Sequence, residues 1–196
     1  MSKLYLYSIF HGNLNFSYIP KDLYPQILET CYWPLLRIAE DGNSRPGLEF
    51  SGYTLELLNA LDPSFIHRLR ELWQDGKCEV IGSGYTQSIM PLIPANVNRK
   101  NLDFGNAVYE KLLGQRPKTA LLNELVYSSG LPQLYREAGY ETLMINWESA
   151  IPAHVDRELL YRPCKVPAGE SSSIQVLWHS LLAYRNFQRH VEGDIT

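Results

Sequence analysis

Residues 119–130 read T-A-L-L-N-E-L-V-Y-S-S-G. Thr119–Leu122 has the form of a short, fully buried strand, and Asn123 and Glu124 follow it directly, with a further apolar pair, Leu125 and Val126, beyond. A carboxylate between apolar runs is costly to desolvate unless something pairs with it or uses it. Two readings follow for Glu124: a structural carboxylate held by a buried Arg, Lys or backbone amide, or a catalytic carboxylate displayed at a strand end.

Working outward from this strand, short apolar runs alternate with helical patterns. Residues 3–9 (K-L-Y-L-Y-S-I), 48–51, 78–81 (C-E-V-I), 142–145 and 173–177 are the other strand candidates. Residues 23–39 place Ile27, Leu28, Cys31, Leu35 and Ile38 at helical spacing, with Pro34 predicting a kink. Asp62-Pro63 is a helix start, an N-cap residue before a first-turn proline, and Gly76 closes that helix. A helix over 96–113 stops at Gly114, and a short one over 131–138 stops at Gly139. Residues 163–173 read as a loop, and the tail R-N-F-Q-R-H-V-E-G-D-I-T as an interrupted helix and loop.

Strand–helix alternation implies a parallel sheet covered by helices, with strands buried on both faces. No linker, repeat or low-complexity segment divides the 196 residues, so the expectation is a single domain of the parallel α/β class. The informative residues stand just past each strand: His11, Asn13 and Asn15; Ser51 and Tyr53; Gly82-Ser83-Gly84-Tyr85 and Gln87; Asn123 and Glu124; Asn146, Trp147 and Glu148; Trp178 and His179. In parallel α/β folds ligands bind at that edge. The 13 Tyr and 4 Trp, several of them in predicted loops, suit stacking against sugar rings.

Composition narrows the partners. A net charge of −3 with no basic stripe argues against nucleic acid. No apolar run approaches a membrane span and no signal-peptide pattern opens the chain, so a cytoplasmic protein is expected. Cys31, Cys78 and Cys164 are odd in number and dispersed, and Cys31 and Cys78 read as small apolar residues in regular elements. The five histidines show no metal-ligand spacing, and no cofactor is implied. The Gly82–Gly84 turn lacks the Lys-Ser/Thr of a phosphate loop, and its glycines are expected to let the backbone approach a ligand. His11 reads either as a hydrogen-bonded neutral imidazole or as a contact to a sugar hydroxyl. Glycoside chemistry uses two carboxyl groups. Glu49, Glu56, Glu79, Glu148, Asp156 and Asp194 are the candidates for the second; Glu79 inside a strand and Glu56 on a helix read as structural, and Glu148 stands at the right edge though no spacing selects it.

Four segments in order, Y-S-I-F-H-G-N, F-S-G-Y-T-L-E-L-L, G-K-C-E-V-I-G-S-G-Y-T-Q-S-I-M-P-L-I-P and L-N-E-L-V-Y-S-S-G-L-P-Q-L-Y-R-E-A-G-Y, resemble the N-terminal catalytic part of family-57 glycoside hydrolases. This is the α-amylase, 4-α-glucanotransferase and branching-enzyme group, and the resemblance runs over residues 4–148. It implies an incomplete (β/α)7-type barrel, a retaining mechanism on α-glucans, and Glu124 as the nucleophile. By the same match His11 corresponds to the family's first-motif His. Three departures stand out: H-G-N replaces the family's His-Gln-Pro, N-W-E stands where the family often carries Asp and His, and no counterpart of the family's acid/base Asp precedes Thr196. The expectation is the N-terminal part of a longer catalytic domain. Expected contacts to an oligo- or polysaccharide are Tyr53, Tyr85 and Trp147 by stacking, and His11, Asn13, Gln87, Asn123, Glu148 and His179 through polar groups. The rivals are a non-catalytic glycan-binding or regulatory module, and a polysaccharide deacetylase, which would need a His/Asp metal cluster.

Overall fold

The computed structural model describes residues 5–146 and 162–193. Its strands are β1 (Ile9–Gly12), β2 (Gly47–Phe50), β3 (Glu79–Ile81), β4 (Thr119–Leu121), β5 (Thr142–Asn146), β6 (Cys164–Pro167) and β7 (Ser173–His179). β1, β2 and β3 pair in parallel, and so do β4, β5 and β7. Gly82 joins the two groups: it is bridged in parallel to Ala120, with its N–H donated to Thr119 O and its own carbonyl accepting from Leu121 N. The parallel order is therefore β1-β2-β3-β4-β5-β7, the arrangement of an incomplete (β/α) barrel. β6 lies antiparallel on β7.

The helices are α1 (Tyr24–Ile27), α2 (Trp33–Glu40), α3 (Gly52–Leu61), α4 (Pro63–Gln74), α5 (Ala95–Leu113), α6 (Leu131–Glu137) and α7 (Leu181–Val191). Their ends follow local chemistry. Asp62 caps α4 by accepting from Ser64 N at 3.0 Å, and Gly114 ends α5 in the left-handed region at φ 78°. Pro34 has no N–H to give to the preceding turn, and the turn just before it, Leu28–Tyr32, widens to a π-helix closed by Trp33 N–H to Leu28 O. The predicted kink is this widened turn.

Strand alternation sorts the side chains into two faces. Leu48, Phe50 and Val80 face outward into one apolar core with α1 to α5, dominated by Tyr32, Leu36, Leu55, Phe65, Leu69 and Tyr109. Ala120, Leu122, Leu143, Ile145, Ile174 and Val176 face a second core with α6 and Leu102 of α5. The opposite face carries Ile9, His11, Glu49, Glu79, Ile81, Thr119, Leu121, Thr142, Met144, Asn146, Gln175, Leu177 and His179. Ile81 and Met144, though buried, belong to neither core. The interior of the barrel thus mixes polar groups with Ile81, Leu121, Met144 and Leu177.

Four expectations need correction. The first strand is Ile9–Gly12, later than the apolar run 3–9 suggested, because its pairing is set by β2: Gly47 N–H donates to Ser8 O and Ile9 lies opposite Gly47. Residues 163–173, read as a loop, form β6 and the turn into β7; with alternating Lys165 and Pro167 on an edge, β6 lacks a continuous apolar run. Residues 181–191 form one uninterrupted helix, α7, started by Ser180 accepting from Ala183 N at 3.2 Å, and Glu192 and Gly193 follow it as a turn. Cys78 is buried, which pushes its thiol up to about 12, but Cys31 is exposed on the π turn, its Sγ 3.7 Å from Thr30 Oγ1.

Candidate active site

The C-terminal edge of the parallel strands gathers the polar residues singled out by sequence. His11 stands on β1, opposite Glu49 of β2. Gly12 must be glycine here, since a Cβ would lie 2.1 Å from Phe50 Cε1. Glu49 is fully buried, and its Oε2 bonds His11 Nδ1. Among the described residues, Glu49 Oε1 has no hydrogen-bond partner. Burial disfavours the charged imidazole, but the Glu49 hydrogen bond, the Glu49 charge and then the Glu124 charge outweigh it, so the His11 pKa is raised. That link places Glu124 within electrostatic reach of His11.

The loop after β1 and the loop after β3 meet at this histidine. Gln87 Nε2 lies 2.8 Å from His11 Nε2, and Asn13 Nδ2 donates to Gln87 Oε1 at 2.9 Å. The Gln87 loop is seated by close packing on α5: Tyr85 N–H donates to Asn101 O, Thr86 N–H to Asn101 Oδ1, and a Cβ on Gly105 would lie 2.9 Å from Ser83 O. The glycines of Gly82-Ser83-Gly84 serve this packing. A Cβ on Gly82 would meet Pro117 and Tyr140 at 2.6 Å, and one on Gly84 would meet Asn101 Nδ2 at 2.2 Å. The close approach is to the protein's own atoms, where sequence reading expected a ligand.

Glu124 follows β4 with φ 57° and ψ 5°, and Leu125 follows with φ 53°. Two successive non-glycine residues in the left-handed region are strained, and such strain persists only where the surroundings enforce it. The carboxylate is exposed, so the desolvation that its apolar flanks suggested does not arise: Leu122 turns to the outer core and Glu124 turns out. Beside it Asn123 is buried, and among the described residues neither its Oδ1 nor its Nδ2 has a hydrogen-bond partner. A buried amide in that condition is costly unless a ligand engages it.

Tyr53 and Tyr85 are brought edge to face with centroids 5.8 Å apart, and Phe16 and Phe104 extend the row at 6.2 and 6.3 Å. Tyr85 donates to Glu56 Oε2 at 2.8 Å, a bond that raises its pKa ahead of burial, and this gives Glu56 a structural task. Glu79 sits at the other end of the strands, accepting from Tyr7 at 3.1 Å and Thr119 at 2.7 Å. His179 ends β7 in register with Asn146, and its ring packs on Tyr184 at 6.1 Å. Trp147 and Glu148 lie outside the described residues. Glu49, one of the six candidates for a second carboxyl group, is the one paired with His11, a pairing that no spacing in the sequence indicates. The available signal was an acidic residue inside the apolar strand G-L-E-F, one short of its end. Among the described residues no group of three or more His, Cys, Asp or Glu side chains is placed to hold a metal, and no helix is long and apolar enough to cross a membrane.

This geometry has counterparts. An alpha-amylase of Pyrococcus furiosus is 25% identical over 150 residues, covering 76% of this chain and 22% of its own length. The structure of a 4-alpha-glucanotransferase from Thermococcus litoralis superposes with a TM-score of 0.82 at 20% identity over 97% of this chain and 30% of its own. The alpha-amylase AmyC of Thermotoga maritima gives 0.69 at 15% identity, covering 88% and 45%. The chain therefore spans under a quarter of the length of the curated relative it matches, and the two structures establish a shared fold. The model of glycosyl hydrolase family 57 matches residues 5–180, past β5 and through the end of β7, and on that match the chain belongs to this family.

Proposed function

We propose that this chain carries the nucleophile of a retaining glycosidase or glucanotransferase acting on α-glucans, with Glu124 in that role. The observation that carries the reading is the backbone at Glu124, held at φ 57° so that an exposed carboxylate stands at the strand edge within the field of His11. Family membership, together with relatives described as alpha-amylase and 4-alpha-glucanotransferase, supports α-glucans as the substrate class. In the reaction, a Glu124 oxygen attacks the anomeric carbon as the glycosidic C–O bond breaks, and a second carboxyl group protonates the leaving oxygen. Water or an acceptor hydroxyl, deprotonated by that second group, then displaces Glu124. The Phe16–Tyr53–Tyr85–Phe104 row supports the reading as apolar surface for sugar rings, and Asn123 offers an unengaged amide beside the nucleophile.

Azide rescue tests the assignment. Glu124→Gly should be inactive on a dinitrophenyl α-maltooligoside, whose leaving group needs no acid. Azide entering the vacated space should restore turnover and give a β-glycosyl azide. Failure of azide to rescue a folded variant of an active parent would remove Glu124 from the nucleophile role. Glucan binding by a folded parent that never turns over the activated donor would favour a binding module.

A further inference from the structure

The hydrogen bonds around His11 form a directed chain whose polarity is set at one end by a group that cannot flip. Phe16 N–H donates to Asn13 Oδ1 at 2.9 Å, and a backbone amide has no alternative role. Asn13 must therefore present its NH2, and it does so to Gln87 Oε1 at 2.9 Å. This leaves Gln87 Nε2 to donate to His11 Nε2 at 2.8 Å. A ring nitrogen that accepts carries no proton, so the imidazole proton lies on Nδ1 and is donated to Glu49 Oε2. Each link of the chain thus has one donor and one acceptor, from the Phe16 backbone to the carboxylate buried in β2.

We propose that Asn13 and Gln87 are positioning residues that, with Glu49, fix His11 as the Nδ1–H tautomer and keep its Nε2 a hydrogen-bond acceptor at the site. Two demands meet on this ring. The Glu49 carboxylate bonded to it from β2, and more weakly the charge of Glu124 after β4, favour a second proton, and the Gln87 N–H opposes one at Nε2. Adding that proton requires Gln87 to turn its oxygen inward, which breaks its bond to Asn13. If the site takes a glucan, as proposed above, a sugar hydroxyl can replace the Gln87 N–H by donating to Nε2. The histidine then selects a ligand group that gives a hydrogen.

The test is long-range 1H–15N NMR of the His11 ring in the folded chain, independent of turnover. Above the imidazole's titration range the expected spectrum is that of an Nδ1–H tautomer with an acceptor-type Nε2. Gln87→Glu substitutes an isosteric acceptor, and the His11 titration should move up by about 1–3 pH units. Asn13→Ala, which frees Gln87 to rotate, should move it up by less. Backbone spectra matching the parent confirm that each variant is folded. An Nε2–H tautomer in the parent, or a titration that neither variant moves, would overturn the proposal. Maltoheptaose should perturb the Nε2 resonance and leave it unprotonated, whereas a proton appearing on Nε2 in the complex would overturn the acceptor role. No binding of maltoheptaose would count against the carbohydrate reading and the acceptor role together, while the tautomer is decided by the free protein.

Discussion

Replacing Glu124 with glycine should stabilise the fold while removing the proposed nucleophile. An L-residue in the left-handed region costs roughly 1–2 kcal/mol, which glycine does not incur. Glycine loses more backbone freedom on folding, an offset of roughly 0.5–1 kcal/mol. Among the described residues no hydrogen bond or ion pair holds the exposed Glu124 carboxylate, so its side chain subtracts little. The net expectation is a gain of about 0.5–1 kcal/mol, or about 1–4 °C in Tm for a chain of this size. The control is Lys100→Gly, an exposed site within α5, where the same residue should cost about 1 kcal/mol. Urea denaturation with unchanged m-values reads both variants. If Glu124→Gly loses as much stability as Lys100→Gly, the left-handed backbone is not what the fold enforces there, and the argument that strain displays Glu124 fails.

Other outcomes follow from single contacts. Gly105→Ala drives a Cβ to 2.9 Å from Ser83 O and Gly84 C, and the overpacking should cost about 1–3 kcal/mol by denaturation. Tyr109→Phe removes a buried hydroxyl that donates to Phe50 O at 2.7 Å and accepts from Ser83 N at 2.9 Å; with both backbone groups orphaned, a loss of about 1–3 kcal/mol is expected. Asp62→Ala removes the α4 cap and the acceptor of Trp33 Nε1 at 3.1 Å, and should cost about 1–2 kcal/mol. The hydrogen bond from the Ser64 hydroxyl, against some desolvation, lowers the Asp62 pKa below its unfolded value, so its contribution is present above that value. It fades as pH falls through the folded pKa, below about pH 4. The parent's stability advantage over Asp62→Ala should therefore shrink on acidification; an advantage that grows would contradict the sign.

Much of the fold could be read from periodicity and punctuation. Asp62-Pro63, Gly114 and Gly139 marked helix ends that the structure places within a residue or two, because caps and left-handed stops are local effects. The first strand was misplaced because the apolar letters of 3–9 say nothing of where β2 pairs, and register is a tertiary property. β6 was missed for a related reason: an antiparallel edge strand needs only one buried side, and C-K-V-P alternates accordingly. Position past a strand holds for Gln87, Asn123 and Glu124, whereas His11 lies within β1 and follows a strand only if the run 3–9 is taken as one. The Glu49–His11 pair was hidden because 38 residues separate partners that only parallel pairing sets side by side. The left-handed turn at Glu124 was equally invisible, since neither residue that adopts it, Glu124 nor Leu125, is Gly or Asn.

The most direct measurement of the central claim is mass spectrometry after incubation with a fluorinated α-glucosyl fluoride. Fluoride leaves without a general acid, so the reagent tests the nucleophile by itself. The account predicts one glycosyl adduct, carried by the peptide containing Glu124 and absent from Glu124→Gln. An adduct on another carboxylate, or none on folded protein that binds maltooligosaccharide, would contradict it.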